Sequence, residues 1–182
     1  IGQNALEDNT SGAFNIAIGS SALSGNLVGN SNVAVGNSAF RVGTGSSNVA
    51  IGAQALQLAS TGNSNVAVGY YALRKGGTVS FSTAIGVSAS ENNSGDLNIA
   101  IGYNALKGPS SGTVNGNNNV AIGYRSLTNL TTAQSNIGIG TDSLTNLITA
   151  GQCVAIGSSS GNSITTGGSN TYIGNNAGDT AT

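Results

Sequence analysis

Histidine, methionine and tryptophan are absent from this 182-residue chain, which has a single cysteine and a single proline. Charged residues make up only 6% of it, and five basic residues face six acidic ones. Nucleic-acid binding needs clustered Lys and Arg to neutralise phosphates, so the composition argues against it. Disordered segments combine low hydrophobicity with high charge, whereas this chain is 38% hydrophobic and almost uncharged. We therefore expect it to fold.

Long apolar runs are missing as well. Gly, Asn or Ser interrupts every short hydrophobic stretch, and none approaches the roughly 20 residues of a membrane-spanning helix. The sequence predicts no membrane insertion for this segment. It begins at Ile1 without the basic and then apolar pattern of a signal peptide. We expect the chain to be an excerpt of a longer fibre.

What the sequence does contain is one short repeat from end to end. A motif ending in Ile-Gly or Val-Gly occurs eleven times, and successive repeat glycines are 16 or 17 residues apart, except for one interval of 21. A typical copy runs from Asn48 to Leu56 and reads N-V-A-I-G-A-Q-A-L. The repeat glycines are Gly2, Gly19, Gly36, Gly52, Gly69, Gly86, Gly102, Gly123, Gly140, Gly157 and Gly174.

A period of about 17 residues, with a short extended segment followed by Gly, Asn and Ser, predicts a coil of short strands and turns. The period is too short for paired-helix repeats of roughly 33 residues, and Gly and Asn disfavour helix. The prediction is an all-β fold, a parallel β-solenoid of eleven roughly 17-residue coils, forming a single repeat domain over residues 1–182. At the strand spacing of about 4.8 Å, the rod would be about 50 Å long.

Alternation along each strand separates two faces. Val49 and Ile51 lie on one face, and Asn48 and Ala50 lie on the other. The alanine face can line a thin core within the coil, but the ladder of Ile and Val must also be covered. The cover is either a second apolar ladder in the same coil, to which Leu56 belongs, or a neighbouring chain.

Asparagine recurs four residues before the repeat glycine and should stack into a structural ladder of amides that bond between coils or to turn backbone. Cys153 occupies the same position, and without a histidine or a second cysteine a buried, unreactive thiol is expected. The composition predicts no metal site and no cofactor. The ladder residues are Asn15, Asn32, Asn48, Asn65, Asn98, Asn119, Asn136 and Asn170.

The strings S-N-V-A-V-G at Ser31 to Gly36 and at Ser64 to Gly69 resemble the head repeat of YadA-like trimeric autotransporter adhesins. The block from Asn98 to Leu106 is similar to repeats of phage tail fibres and bacterial surface fibres that end in an intramolecular chaperone domain. The resemblance covers all eleven copies. It implies a left-handed β-roll in each chain, a homotrimer, an extracellular place on a bacterial surface or virion, and attachment to a receptor protein or glycan.

Aromatic and basic residues cluster in the middle of the chain. Tyr70, Val87, Tyr103 and Tyr124 directly follow successive repeat glycines, so stacked coils would align them. Tyrosine beside Arg or Lys can stack on sugar rings and bond hydroxyls or carboxylates. This predicts a contact patch for a glycan or acidic polymer, unless the tyrosines cover grooves between chains. The candidate contact residues are Tyr70, Tyr71, Tyr103, Tyr124, Arg74, Lys107 and Arg125.

The longest copy of the repeat places its four extra residues between Lys107 and Asn118, where a loop is expected. Insertions in solenoids commonly map to the binding face. A neutral surface insertion is nevertheless the preferred interpretation of this one.

Two other classes of function remain open. A monomeric solenoid could bind ice or another periodic ligand such as a polysaccharide, but Thr83 and Thr171 stand alone at strand positions. A polysaccharide depolymerase of the tailspike type needs two carboxylates roughly 5 to 9.5 Å apart. Glu7 and Glu91 are five coils, or about 24 Å, apart. Glu91 and Asp96 share a single turn and could approach each other, and pairs across chains stay open. The chain is therefore expected not to be an enzyme.

Overall fold

A computed structural model describes residues 1–110 and 115–179 of the chain. The middle of the expected loop, 111–114, and the end of the chain, 180–182, lie outside the described residues. In the described part, ten short strands form one sheet, and each strand pairs in parallel with the next along the chain. The strands are β1 (Ile16–Ile18), β2 (Val33–Val35), β3 (Val49–Ile51), β4 (Val66–Val68), β5 (Thr83–Ile85), β6 (Ile99–Ile101), β7 (Val120–Ile122), β8 (Ile137–Ile139), β9 (Val154–Ile156) and β10 (Thr171–Ile173). The predicted all-β parallel solenoid is confirmed.

The register of the sheet follows the sequence repeat. Each strand residue pairs with the residue at the same repeat position in the next coil, as Ala50 does with Ala67. The same register continues across the longest copy, where Ala100 pairs with Ala121. The four extra residues of that copy therefore leave the register of the strands unchanged. At about 4.8 Å per strand, the sheet extends about 43 Å from β1 to β10.

The core of each coil is a thin double layer of alanine and leucine. Ala50, in the middle of β3, is fully buried, and so are Ala55 and Leu56 after the turn. Alanine side chains allow the sheet and the facing turn to approach closely, which gives the close packing typical of protein interiors. The ladder that contains Leu56 thus covers the alanine face of the sheet. It leaves the Ile/Val face, formed by the residues one and three before each repeat glycine, without a cover inside the coil.

A tight turn with left-handed residues follows each strand. The repeat glycine Gly52 has a φ of 128°, which side-chain-bearing residues rarely adopt, and Gln54 and Leu56 have φ of 58° and 53°. The Gln54 N–H donates to Asn37 O at 2.9 Å in the preceding coil, and the Leu56 N–H donates to Ala72 O at 2.9 Å in the following coil. Hydrogen bonds in both directions along the stack therefore hold the turn in this conformation.

Candidate functional site

The asparagine ladder lies just before the strands, at the edge of the core. The side-chain oxygen of Asn48 accepts a hydrogen bond from the backbone N–H of Asn65 at 3.0 Å. The Asn48 side-chain nitrogen donates to Gly62 O in the next coil at 2.9 Å and to the side-chain oxygen of Asn32 at 3.2 Å. The Asn48 amide therefore joins three consecutive coils. The fully or almost fully buried members of the ladder are Asn32, Asn48, Asn65, Asn98, Asn119 and Asn136.

The ladder changes where asparagine is replaced and towards its ends. Asn15 is only half-buried, yet it donates to Gly29 O at 2.7 Å. The Cys153 N–H donates to the side-chain oxygen of Asn136 at 3.0 Å, and the thiol lies 3.3 Å from Gly167 O. Among the described residues, the half-buried Asn170 makes no side-chain hydrogen bond. These contacts make the ladder a structural element that faces neighbouring coils.

Replacement of Cys153 by asparagine is expected to stabilise the fold. The new amide would donate to Gly167 O and accept from the backbone N–H of Asn170. The thiol is a weak donor in the first of these bonds and a weak acceptor in the second. One or two added hydrogen bonds should contribute about 1 to 2 kcal/mol, which raises the thermal midpoint by roughly 2 to 8 °C for a chain of this size. Thermal unfolding followed by circular dichroism measures the shift. Cys153→Ala is the control, and an equal midpoint in both variants would contradict the expectation.

The predicted tyrosine stripe forms two separate stacked pairs. The ring centroids of Tyr103 and Tyr124 are 5.4 Å apart with an interplanar angle of 10°, and those of Tyr70 and Tyr71 are 3.8 Å apart at 27°. Val87 occupies the coil between the two pairs. Tyr70, Tyr103 and Tyr124 are about half exposed, at 46%, 49% and 47%. Side-chain hydrogen bonding to Tyr71 is the main cause that raises the pKa of the Tyr70 phenol above its ordinary value.

The basic candidates are each paired with a carboxylate of the same chain. Glu91 lies between Arg74 and Lys107, with one oxygen 3.5 Å from Arg74 Nη1 and the other 3.6 Å from Lys107 Nζ. Arg125 Nε lies 3.3 Å from Asp142 Oδ1. Arg74, Glu91 and Lys107 all stand five residues after a repeat glycine, a spacing that already placed them in one stacked column. Glu91 balances only one of the charges of Arg74 and Lys107, so this cluster keeps a net positive charge, whereas the Arg125–Asp142 pair beside Tyr124 is neutral.

Two of the cations also contact the tyrosines. The guanidinium carbon of Arg74 is 4.6 Å from the centre of the Tyr71 ring, and that of Arg125 is 5.9 Å from the centre of the Tyr124 ring. Cation–π contacts of this kind hold the ring and the guanidinium in a fixed relation. The structure therefore brings Tyr71 together with Arg74, and Tyr124 together with Arg125, as small aromatic and basic units on the coil surface.

The carboxylates considered for catalysis have structural partners. Glu91 is 9% exposed and is held by its two cations. Asp96 is exposed, and its Oδ1 accepts a hydrogen bond from the backbone N–H of Ser80 at 2.8 Å. Within residues 1–110 and 115–179, no cluster of three His, Cys, Asp or Glu residues could hold a metal ion. The same residues include no helix long and apolar enough to cross a membrane.

No protein-family model, curated protein or solved structure matches the chain.

A groove that the sequence analysis did not anticipate runs along the stack in the C-terminal half. We name it the longitudinal groove; its volume is about 380 Å³. It lies between two columns of residues, six and eight positions after the repeat glycine, while Leu130 and Leu147 between the columns are buried. Its signal was present in three tripeptides 17 residues apart, which begin at Asn129, Asn146 and Ser163. The groove is lined by Pro109, Asn129, Thr131, Asn146, Ile148, Ser163 and Thr165.

Threonine hydroxyls in the second of these columns point along the stack. Thr131 Oγ1 donates to Ile148 O at 2.9 Å, and Thr10 Oγ1, at the same repeat position far away, donates to Leu27 O at 2.7 Å. These hydroxyls donate their hydrogen bonds to backbone carbonyl oxygens within the solenoid. They do not form the outward hydroxyl array that an ice-binding surface would present.

Proposed function

We propose that the chain is a structural and adhesive repeat segment of a homotrimeric extracellular fibre, of the kind carried by bacterial surface adhesins or phage tails. Its eleven coils would form a left-handed roll that gives a rigid spacer and repeated attachment points, with no enzymatic role. The observation that carries the proposal is the Ile/Val face. In one chain this face stays outward along the whole sheet, although all its side chains except Thr83 and Thr171 are Ile or Val.

Side chains on this face are far more exposed than the core beside them. Ile51 in β3 is 41% exposed, whereas its neighbour Ala50 is fully buried. Similar exposure recurs at Ile85 and Ile101. Contiguous exposed apolar surface of this extent is typical of protein interfaces. We therefore expect a partner surface outside the chain to cover this face.

A second copy of the chain is the partner that fits best. The ten strands contain no charged residue, and the ladder repeats once per coil, so another copy presents the same spacing of side chains. Ile and Val from neighbouring chains can then interdigitate coil by coil. Three chains around one axis form a closed assembly in which each Ile/Val face contacts the others. An assembly of this kind buries the ladder over its full length.

The half-exposed tyrosines support the adhesive part of the proposal. Tyr103 and Tyr124 present flat rings beside the Ile/Val face, and such rings stack on sugars or on side chains of a receptor. Internal pairing of Arg125 with Asp142 leaves little net charge next to Tyr124. Each contact is weak, but three chains carry three copies, and linked weak contacts combine into high avidity.

The mass in solution tests the proposal directly. We expect light scattering to give three times the chain mass of 17.7 kDa, independently of concentration over the measured range. A folded particle of one chain would contradict the trimer and would favour a solitary solenoid that binds a periodic polysaccharide.

A matched pair of variants tests which face assembles the chains. Ile51→Lys places a charge on the Ile/Val face, whereas Leu58→Lys changes a side chain of similar exposure, 38% against 41%, in the same coil but off that face. Burial of an unpaired ammonium is strongly unfavourable. Ile51→Lys should therefore give single chains that keep their β circular dichroism, while Leu58→Lys stays trimeric. A trimeric Ile51→Lys protein would show that another surface holds the chains together.

A further inference from the structure

We infer that the longitudinal groove is a binding site for a neutral oligosaccharide segment of a surface glycan. The inference deepens the proposed function. It rests on that function because the groove faces outward in the proposed fibre. It assigns the glycan contact to a surface different from the tyrosine pairs.

The dimensions of the groove suit a short chain of sugars. Its volume of about 380 Å³ falls within the range of roughly 300 to 1,000 Å³ for sites that hold small molecules. It runs along the stack from Pro109, in the longest repeat, past Asn129 and Asn146 to Ser163. An elongated groove of this kind accommodates a linear ligand that lies parallel to the coil axis.

The lining combines apolar patches with neutral polar groups. Ile148 is 40% exposed in the groove, and with the Pro109 ring it offers surface to the C–H faces of sugars. Asn129 Nδ2 donates to Asn146 Oδ1 at 3.4 Å and Asn146 Nδ2 donates to Asn162 O at 2.9 Å, so these amides are held in place with further donor and acceptor capacity. Sugar hydroxyls both donate and accept, and therefore match such a lining.

Charge distinguishes this groove from a site for acidic polymers. All seven lining residues are uncharged. An acidic sugar would lose water in the groove without gaining a cation there, which is costly. The basic residues that the sequence analysis considered for such ligands are paired with carboxylates elsewhere, as Lys107 is with Glu91. The groove therefore favours uncharged sugars.

Backbone bonding argues against an extended peptide as the ligand. The Thr131 N–H donates to Ile148 O at 3.0 Å, and the Ile148 N–H donates to Thr165 O at 2.9 Å. These backbone N–H and C=O groups are already hydrogen-bonded between coils. A peptide that binds by strand addition needs a strand edge with unpaired backbone N–H and C=O groups. The backbone groups named above are paired, so this wall of the groove does not provide such an edge.

The position of the groove keeps it accessible in a fibre. The groove residues stand six to eight positions after the repeat glycine, and the strand centre stands two positions before it. In a period of 17 residues this separation is about half a coil. The groove and the Ile/Val face are thus on opposite sides of the solenoid. A trimer joined through the Ile/Val face would expose three grooves on its outer surface.

The test is binding of the full chain to an array of immobilised oligosaccharides. The array carries neutral gluco-, manno-, galacto- and N-acetylglucosamine oligomers together with acidic uronate oligomers and unrelated extended peptides. Thr165→Arg fills the groove, and Asn146→Asp adds charge without bulk; both residues are exposed. Ser60→Arg is the matched control, because Ser60 is exposed at the same repeat position as Thr165 but lies outside the groove. Circular dichroism and mass are measured for every sample.

We expect at least one neutral oligomer to bind, and at least a tenfold loss of apparent affinity in Thr165→Arg and Asn146→Asp but not in Ser60→Arg. Absence of binding to every neutral oligomer would overturn the inference, as would binding only to uronates or peptides, or unchanged binding by a folded Asn146→Asp variant. The mass separates the two proposals. A trimer without sugar binding refutes only the groove, and a single chain with groove-dependent binding refutes only the trimer.

Discussion

Replacement of Gly123 by alanine is expected to destabilise the fold by more than about 4 kcal/mol, among the largest effects of single substitutions. A Cβ at this position would lie 2.5 Å from the carbonyl oxygen and 2.7 Å from the carbonyl carbon of Gly140 in the next coil. The backbone cannot easily retreat, because the Gly123 N–H donates to Ile101 O at 2.8 Å in the preceding coil. The φ of 130° is unfavourable for alanine as well. Chemical unfolding followed by circular dichroism measures the loss.

Two other glycines separate the steric and conformational causes. Gly174 has a similar φ of 125°, but the nearest atom to its added Cβ is Ala177 Cβ at 3.9 Å. Gly174→Ala should therefore cost only the backbone strain, about 1 to 3 kcal/mol. At Gly167 the added Cβ meets Asn170 Nδ2 at 3.4 Å, and the expected change is within about 0.5 kcal/mol, as for ordinary surface positions. Equal stability of the three variants would refute the stacking explanation.

Replacement of Asn119 by leucine is expected to cost about 3 to 5 kcal/mol. The side-chain oxygen of Asn119 accepts from the backbone N–H of Asn136 at 3.0 Å, and its nitrogen donates to Ala133 O at 3.0 Å. Leucine has a similar volume but offers neither bond. Each buried group left without a partner costs about 1 to 3 kcal/mol. The loss is read from the denaturation midpoint with the slope of the transition held in common.

Asn170→Leu provides the control at the same repeat position. Asn170 is half-buried, and within the described residues its side chain makes no ladder hydrogen bond. Its replacement should change the stability by less than about 0.5 kcal/mol. If Asn119→Leu were as mild as this control, the ladder would be a by-product of the repeat and not a source of stability.

Much of the fold was predictable because its determinants are local. The repeat glycine, with a φ near 130°, marks the turn in every coil, and it was visible as an invariant residue at intervals of about 17. Alternation assigned Ala50 and Ile51 to opposite faces, as the structure has them. The ladder position of Asn48 was also readable, since parallel stacking aligns equal repeat positions.

The surfaces were harder to predict because they depend on side chains from different coils. Arg74 and Lys107 were predicted as ligand contacts, although Glu91 stands at the same repeat position in the coil between them and pairs with both. The longitudinal groove was missed for a related reason. Pro109 and Asn146 come from coils of different length, and only the stacked structure shows that they line one groove.

The amino-acid sequence alone specifies a solenoid, its coil length and the two faces of each strand, because these follow from backbone preferences and short-range alternation. It does not specify which apolar ladder covers which face. That is decided when the turn after Gly52 brings Leu56 back over the alanine face and leaves Ile51 outward. The physical reason is that the path of the turn, and with it the direction of the Leu56 side chain, depends on hydrogen bonds to the coils on either side.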